Sequence, residues 1–210
     1  YVSPGGGSYG IIGSVNNIIQ SGQAFFVRAV GTNGSISFDE TAKVSTSETP
    51  FRVAHANTGS KIFIQLQQIL QGDTLLLDGT VVEFERNLSN EVDILDALKL
   101  HTSTEAVSIL QSATELAVER RAFPNSGDTI FLKLSNLKPN TYYLHLSGAG
   151  TDHIGAKAYL VDRYLQSATL IDITKKTIIP FTVSTQQGSA SSNRFLLIFK
   201  NRFTDNSPVS

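Results

Sequence analysis

Alternation of apolar and polar residues is the dominant pattern along this chain. Gln23-Ala24-Phe25-Phe26-Val27-Arg28-Ala29-Val30 is rich in aromatic and β-branched residues and predicts a strand. Gly31-Thr32-Asn33-Gly34 follows as a turn, its Asn33-Gly34 pair suited to positive φ, and Ser35-Ile36-Ser37-Phe38 alternates strictly, closing a hairpin. Residues 51–54 and 61–67 alternate next. Residues 73–77 and 81–84 flank Asp78-Gly79, which predicts a second hairpin turn.

Beyond residue 100 the β rhythm resumes. Strands are expected over 107–110 and 114–120, then over 128–134 and over 141–146 after the turn Lys138-Pro139-Asn140. Residues 156–162, 178–183 and 194–200 complete the set, with Pro180 expected at a bulge or on a sheet edge, since it cannot donate to a ladder. Turn signals recur about every 8–12 residues, the rhythm of an antiparallel β-sandwich.

One stretch departs from this rhythm. Residues 89–100 carry Ile94, Leu95, Ala97, Leu98 and Leu100 at spacings of three and four, which predicts one short helix crossing an end of the sandwich. Ser89 or Asn90 would cap it, with Glu91 and Asp93 favourable in the first turn. The fold expected is therefore all-β, one antiparallel β-sandwich or two packed sandwich units, with one short helix. Residues 1–18, with Pro4-Gly5-Gly6-Gly7, read as a linker or ordered arm, 19–87 as a first β unit, 88–200 as a second, and 201–210 as an exit linker.

Composition narrows the function. Lys and Arg number 17 against 18 Asp and Glu, a formal charge of −1, and no basic stripe marks a nucleic-acid binder. No apolar run approaches the roughly 20 residues of a spanning helix. Cysteine is absent, which excludes disulfides, thiolate metal sites and cysteine nucleophiles. The sequence opens on Tyr1 and reads as a processed product or a piece of a longer exported chain.

Catalytic patterns are sparse. His55, His101, His145 and His153 have no i, i+4 spacing and no acid set beside them by sequence. No serine lies in a Gly-x-Ser-x-Gly elbow, and the glycines at 5–7 and 148–150 precede no helix that could cradle phosphate. Carboxylates gather at Glu83, Glu85, Glu91, Asp93 and Asp96. Loop oxygens from Asp93 and Asp96 are candidate calcium ligands, but EF-hand spacing is missing and a capping role is the plainer reading. Asp162-Arg163 closes a strand, and its expected role is structural, bracing a turn while Arg163 forks onto oxygens. Tyr142, Tyr143, Tyr159 and Tyr164 are candidates for a ligand-binding face; the phenylalanines, beside aliphatics in strands, read as core. No cofactor is expected apart from the calcium candidate.

Several segments together resemble a known family. Ile19-Gln20-Ser21-Gly22-Gln23-Ala24-Phe25-Phe26-Val27, Ile36-Ser37-Phe38 and Asn90 to Leu100 are similar to a β-sandwich region of large secreted proteins of Bacteroidota. So are Leu116-Ala117-Val118-Glu119, Asp128-Thr129-Ile130-Phe131-Leu132, Tyr159-Leu160-Val161-Asp162-Arg163-Tyr164-Leu165, Phe181-Thr182-Val183 and Asn193-Arg194-Phe195. The resemblance covers roughly residues 18 to 200. It implies an extracellular or outer-surface location, neighbouring domains in the same polypeptide, and the type IX secretion machinery as a partner, since this region stands before a C-terminal sorting domain. It offers no catalytic residues. The expected function is a non-enzymatic module, a structural stalk or adhesion unit that meets a surface glycan or protein. The alternative is a glycan-binding module, calcium-assisted or not, appended to an enzyme or adhesin.

Overall fold

The computed structural model describes residues 34–45, 59–70, 73–100 and 103–201. The chain divides into two compact units, residues 1–56 and 57–210. In the first, one turn of 3-10 helix, Glu40–Ala42, is capped by Asp39, whose carboxylate accepts from the N–H groups of Thr41 and Ala42. Ser35 to Phe38 lie outside any strand. The strands expected at 23–30 and 51–54 fall outside the described residues.

The second unit is almost entirely β. Its strands are β1 (Ser60–Leu70), β2 (Asp73–Phe84), β3 (Ala97–Leu98), β4 (Ala106–Gln111), β5 (Thr114–Arg121), β6 (Thr129–Ser135), β7 (Asn140–Ala149), β8 (Ala156–Asp162), β9 (Ser167–Ile171), β10 (Thr177–Val183) and β11 (Phe195–Asn201). They form one continuous sheet in the order β10-β7-β1-β2-β5-β4-β6-β11-β8-β9, with β3 paired to β5. The expected boundary at 87/88 falls within this sheet, because β1 pairs with β7 and β2 with β5.

The sheet curls because β5 serves two neighbours. Its first residues, Thr114 to Leu116, pair antiparallel with β4, and its last, Val118 to Arg121, pair parallel with β2. Between them the register against β3 shifts by one residue. Such a bulge bends a strand and turns a sheet around a corner. Inward residues of nearly every strand then meet in one core: Ile62, Ile64, Leu66, Val82, Phe84, Ile109, Leu132, Leu144, Leu160 and Leu197 are all buried.

The two strands at the ends of this order, β9 and β10, are not paired with each other, and the chain links their neighbourhoods at both ends. At the end where β1 begins, residues 172–176 carry the chain across from β9 to β10. This crossing packs so closely that a Cβ on Gly148 would lie 2.1 Å from the Ile173 carbonyl oxygen; the Thr151 hydroxyl donates to that same oxygen at 3.0 Å. At the opposite end Arg194 bridges. Its Nε donates to both Asp162 carboxylate oxygens at 3.0 and 3.1 Å, and its Nη2 to Asp162 Oδ2 at 2.7 Å. Its Nη1 donates to the carbonyls of Thr182 on β10 (2.9 Å) and Ser189 (2.8 Å). Only 2 % of this side chain's residue surface is exposed, and Tyr164, Phe181 and Phe195 surround its guanidinium at 4.9 to 5.2 Å. Buried without these partners, such a charge would cost several kcal/mol.

Three expectations are corrected. Asp78-Gly79 is no hairpin turn: it lies inside β2, where the β1–β2 register shifts and leaves Leu77 as the extra residue. The Asp78 carboxylate is spent on Lys99 Nζ (2.7 Å) and the Val107 N–H (2.9 Å). Residues 89–100 form no helix. Asp93 Oδ1 takes the Leu95 N–H, and Asp96 takes those of Asp93 and Arg120. These side-chain acceptors offer the backbone an alternative to helix, and the segment goes on into β3. Last, the forking arginine at the 162–165 turn is Arg194. Asp162 does receive the N–H groups of Tyr164 and Leu165, but Arg163 stands over the Phe131 ring.

A second charged pair faces inward. Glu119 and Arg121 are register partners of the core residues Val82 and Phe84 and are joined at 3.2 Å. Glu119 Oε2 and Arg121 Nε lack a hydrogen-bond partner. Burial raises the Glu119 pKa, the Arg121 charge opposes this and the Asp96 charge adds to it.

Both pairs generate predictions. Arg194→Ala is expected to lower unfolding stability by about 3–5 kcal/mol, and Arg194→Lys to recover little of it, since an ammonium cannot fork onto Asp162 and two carbonyls together. Urea unfolding checks this; a loss under about 1 kcal/mol, the worth of a surface pair, would contradict it. For Glu119 the folded state holds its proton more tightly than the unfolded state. Stability present below the ordinary carboxyl range, about pH 4.3, is therefore lost as pH rises through the folded-state pKa. Measured against Glu119→Gln from pH 4 to 8, the unmodified chain should lose ground as pH rises; gaining ground would reverse the assignment.

Candidate binding surface

The outer face of β10-β7-β1-β2 gathers side chains that sequence order keeps far apart. Odd positions of β7 and β1 point outward, the even ones being core. Register then aligns them into rows across four strands. One row is Pro180, Tyr143, Gln67 and Leu76; the next is Ile178, His145, Gln65 and Gly79; a third is Ser147, Phe63 and Val81. Neighbouring strands lie about 4.8 Å apart and successive outward residues about 6.7 Å, so the rows form a regular, shallow grid.

None of these positions carries a formal charge when His145 is neutral. The next row of the same face, Ala149, Lys61 and Glu83, is charged, with Lys61 meeting Glu83 at 3.7 Å, and so are the outer faces beyond it. Arg120 on β5 meets Glu83 at 3.3 Å and Glu85 at 3.2 Å, Lys133 on β6 meets Glu115 at 2.6 Å, and Lys200 on β11 lies over Tyr159. Depletion of charge with retention of tyrosine is the compositional mark of recognition surfaces.

The polar groups of the grid are joined yet only partly used. Gln67 Nε2 donates to Gln65 Oε1 at 3.3 Å and reaches His145 Nδ1 at 3.4 Å. His145 Nε2 is buried with no hydrogen-bond partner among the described residues. Burial lowers the His145 pKa, with the Lys176 charge acting in the same direction; the imidazole is neutral at pH 7.

Beyond Pro180 the face turns into a groove of about 440 Å³ between the β8–β9 turn and β10. Tyr164, Leu165, Pro180, Phe181, Thr182, Ser184 and Arg194 line it. Tyr164 stands at its rim, with 37 % of its surface exposed. The groove floor is held by the Arg194 bridge, whose hydrogen bonds to Asp162, Thr182 and Ser189 make it a structural floor and not a free cation.

The four tyrosines thus take four different situations. Tyr142 is fully buried; its hydroxyl donates to the Lys138 carbonyl at 2.9 Å and accepts from the Lys138 N–H at 3.1 Å, a corner brace of the kind found where β-strands change direction. Tyr143 faces outward in the grid. Tyr164 borders the groove. Tyr159 lies on β8 between Leu170 and Ile198, outside the grid. The structure therefore brings Tyr143 and Tyr164 to either side of Pro180 and sets the other two apart from them. Asp93 and Asp96 bind backbone N–H groups as described above. Among the described residues no group of three or more His, Asp or Glu is arranged to hold a metal ion, and no helix is long and apolar enough to cross a membrane. His153 ends the 3-10 turn Thr151–His153; His55 and His101 lie outside the described residues.

Gln65, Gln67 and Pro180 escaped the sequence reading as surface residues. Their outward phase is visible in the alternation, but their company is fixed by lateral register, which no short motif encodes. No family model, curated protein or solved structure matches the chain.

Proposed function

We propose that this chain is a non-catalytic adhesion module of a secreted or surface-anchored bacterial protein, displayed to the side of its polypeptide instead of spacing it out in line. One observation carries the display geometry. The sheet begins and ends at the same end: Ser60 pairs with Phe84, the Phe84 ring lies 5.8 Å from that of Phe199, and the Ser60 hydroxyl donates to the Gly150 carbonyl at 2.6 Å, while Asn201 pairs with Ala156. A stalk gains length only when the chain enters a module at one end and leaves at the other. With both connections of the sheet at one end, this reading assigns the partner to the opposite end, which holds the groove and the Arg194 bridge.

The resemblance to regions preceding type IX sorting domains supports export by that machinery and neighbouring domains as partners. The same reading takes the curled sheet as a β-sandwich whose two layers share β5, a compact shell held by burial and hydrogen bonds, the chain having no cysteine.

Beads carrying the full chain, offered bacterial envelopes, extracellular polymer and mucin-coated surfaces, are expected to be retained saturably on at least one, with soluble chain competing. Beads that wash away as freely as albumin-coated ones from all three would contradict an adhesive role.

A further inference from the structure

We infer that the grid on β10-β7-β1-β2, with the adjoining groove, is a binding site for an uncharged oligosaccharide, laid across Tyr143 and Pro180 and held by Gln65 and Gln67, with His145 beneath positioning Gln67. This inference rests on the adhesion reading and names its ligand.

The chemistry of the face selects the ligand class. A charged polymer would find no counter-charge within the three rows, with Lys176 and the mutually paired Lys61 and Glu83 only at their margin, and burying its charge there would be costly. A purely apolar partner would bury the free amide groups of two glutamines without partners, which is also unfavourable. A neutral sugar matches both demands: its hydroxyls donate and accept, and its C–H faces pack on flat rings. The site has free capacity of both kinds among the described residues, since Gln65 Nε2, Gln67 Oε1 and the Tyr143 hydroxyl make no hydrogen bond there. Gln67 is already oriented by Gln65 and His145, so little side-chain freedom is lost on binding. Pro180 and Tyr143, cross-strand partners on β10 and β7, supply a rigid apolar ledge. Tyr164 on the far side of Pro180 gives a second ring for an adjacent sugar unit.

Three features separate this site from a calcium-dependent lectin. Its polar atoms are amides and a phenol instead of carboxylates. Its grid residues come from sheet strands, and only Tyr164 of the two rings sits on a turn. And Asp93 and Asp96 lie elsewhere, on the turn before β3, their oxygens taken by backbone N–H groups.

The test uses the full chain and a panel of soluble polysaccharides: mannan, xylan, galactan and dextran as neutral probes, alginate and heparin as acidic ones. Affinity electrophoresis and titration calorimetry should show binding to at least one neutral probe, unchanged by chelator and by 0.5 M salt. Tyr143→Ala should weaken it at least tenfold, Gln67→Ala severalfold, and Tyr143→Phe should hold within about threefold because the ring face is kept. Tyr159→Ala, on β8, should leave binding intact, and matching thermal melts would show each variant folded. Absence of binding to every neutral probe, binding to acidic probes alone, loss on chelation, or an unaffected Tyr143→Ala would each overturn the inference. If no neutral probe binds while chain-bearing beads still adhere to a surface, the ligand assignment fails and the adhesion reading survives; if both are negative, both fail.

Discussion

One buried guanidinium joins the two ends of the nearly closed sheet in the second unit. A strand order that runs from β10 to β9 leaves two unpaired edges, and exposed edges invite pairing with other chains. Arg194 brings β8, β10 and the 184–194 connection to a single point with four donors spent on a carboxylate and two carbonyls. Three aromatic rings exclude water around it. Pro180 protects the β10 edge in a different way, since it has no N–H to offer. The crossing at residues 172–176 links β9 to β10 covalently, and Gly148 is the position where that crossing leaves no room for a side chain.

Closure has a functional consequence. Once the core is sealed by inward residues from nearly all strands, the outer face of β10-β7-β1-β2 is released from stabilising duty. Charges are concentrated where strands change partners: Glu83, Arg120 and Glu85 beside the β2–β5 junction, and Asp78 with Lys99 beneath the bulge in β2. The grid between is left to glutamine, tyrosine, histidine and proline. The groove and the grid meet at Pro180, so the residue at the β10 edge also joins the two halves of the candidate surface, and the Arg194 bridge holds the groove floor between them.

Much of this architecture is readable from alternation alone. The inward phase of β6, β7, β8 and β11 follows directly from residues such as Ile130, Leu132 and Leu134 or Leu144 and Leu146, because burying one face of a strand forces a period of two. Where the reading departs from the structure, a side chain with two uses is responsible. Asp-Gly at 78–79 is strong turn chemistry, yet here the aspartate braces a bulge. Asp93 and Asp96 suit a helix start, yet both are acceptors for an extended segment. Asp162 marks a turn, but its arginine comes from 32 residues away, beyond the reach of any local pattern. The candidate surface was half visible. Tyr143 and Tyr164 stand out as residue types, whereas the row that sets Tyr143 between Pro180 and Gln67 exists only once three strands have chosen their register.

The dependence of the shell on Arg194 is tested most directly by native-state hydrogen exchange, comparing β10 with β1 in the full chain and in Arg194→Lys. In the unmodified chain, amides of β10 should be protected nearly as strongly as those of β1, opening only with the whole sheet. The substitution should release β10 first, its amides exchanging by local opening while β1 and β2 keep their protection. Equal loss in β10 and β1, or undiminished protection of β10, would contradict the view that this one side chain holds the sheet closed.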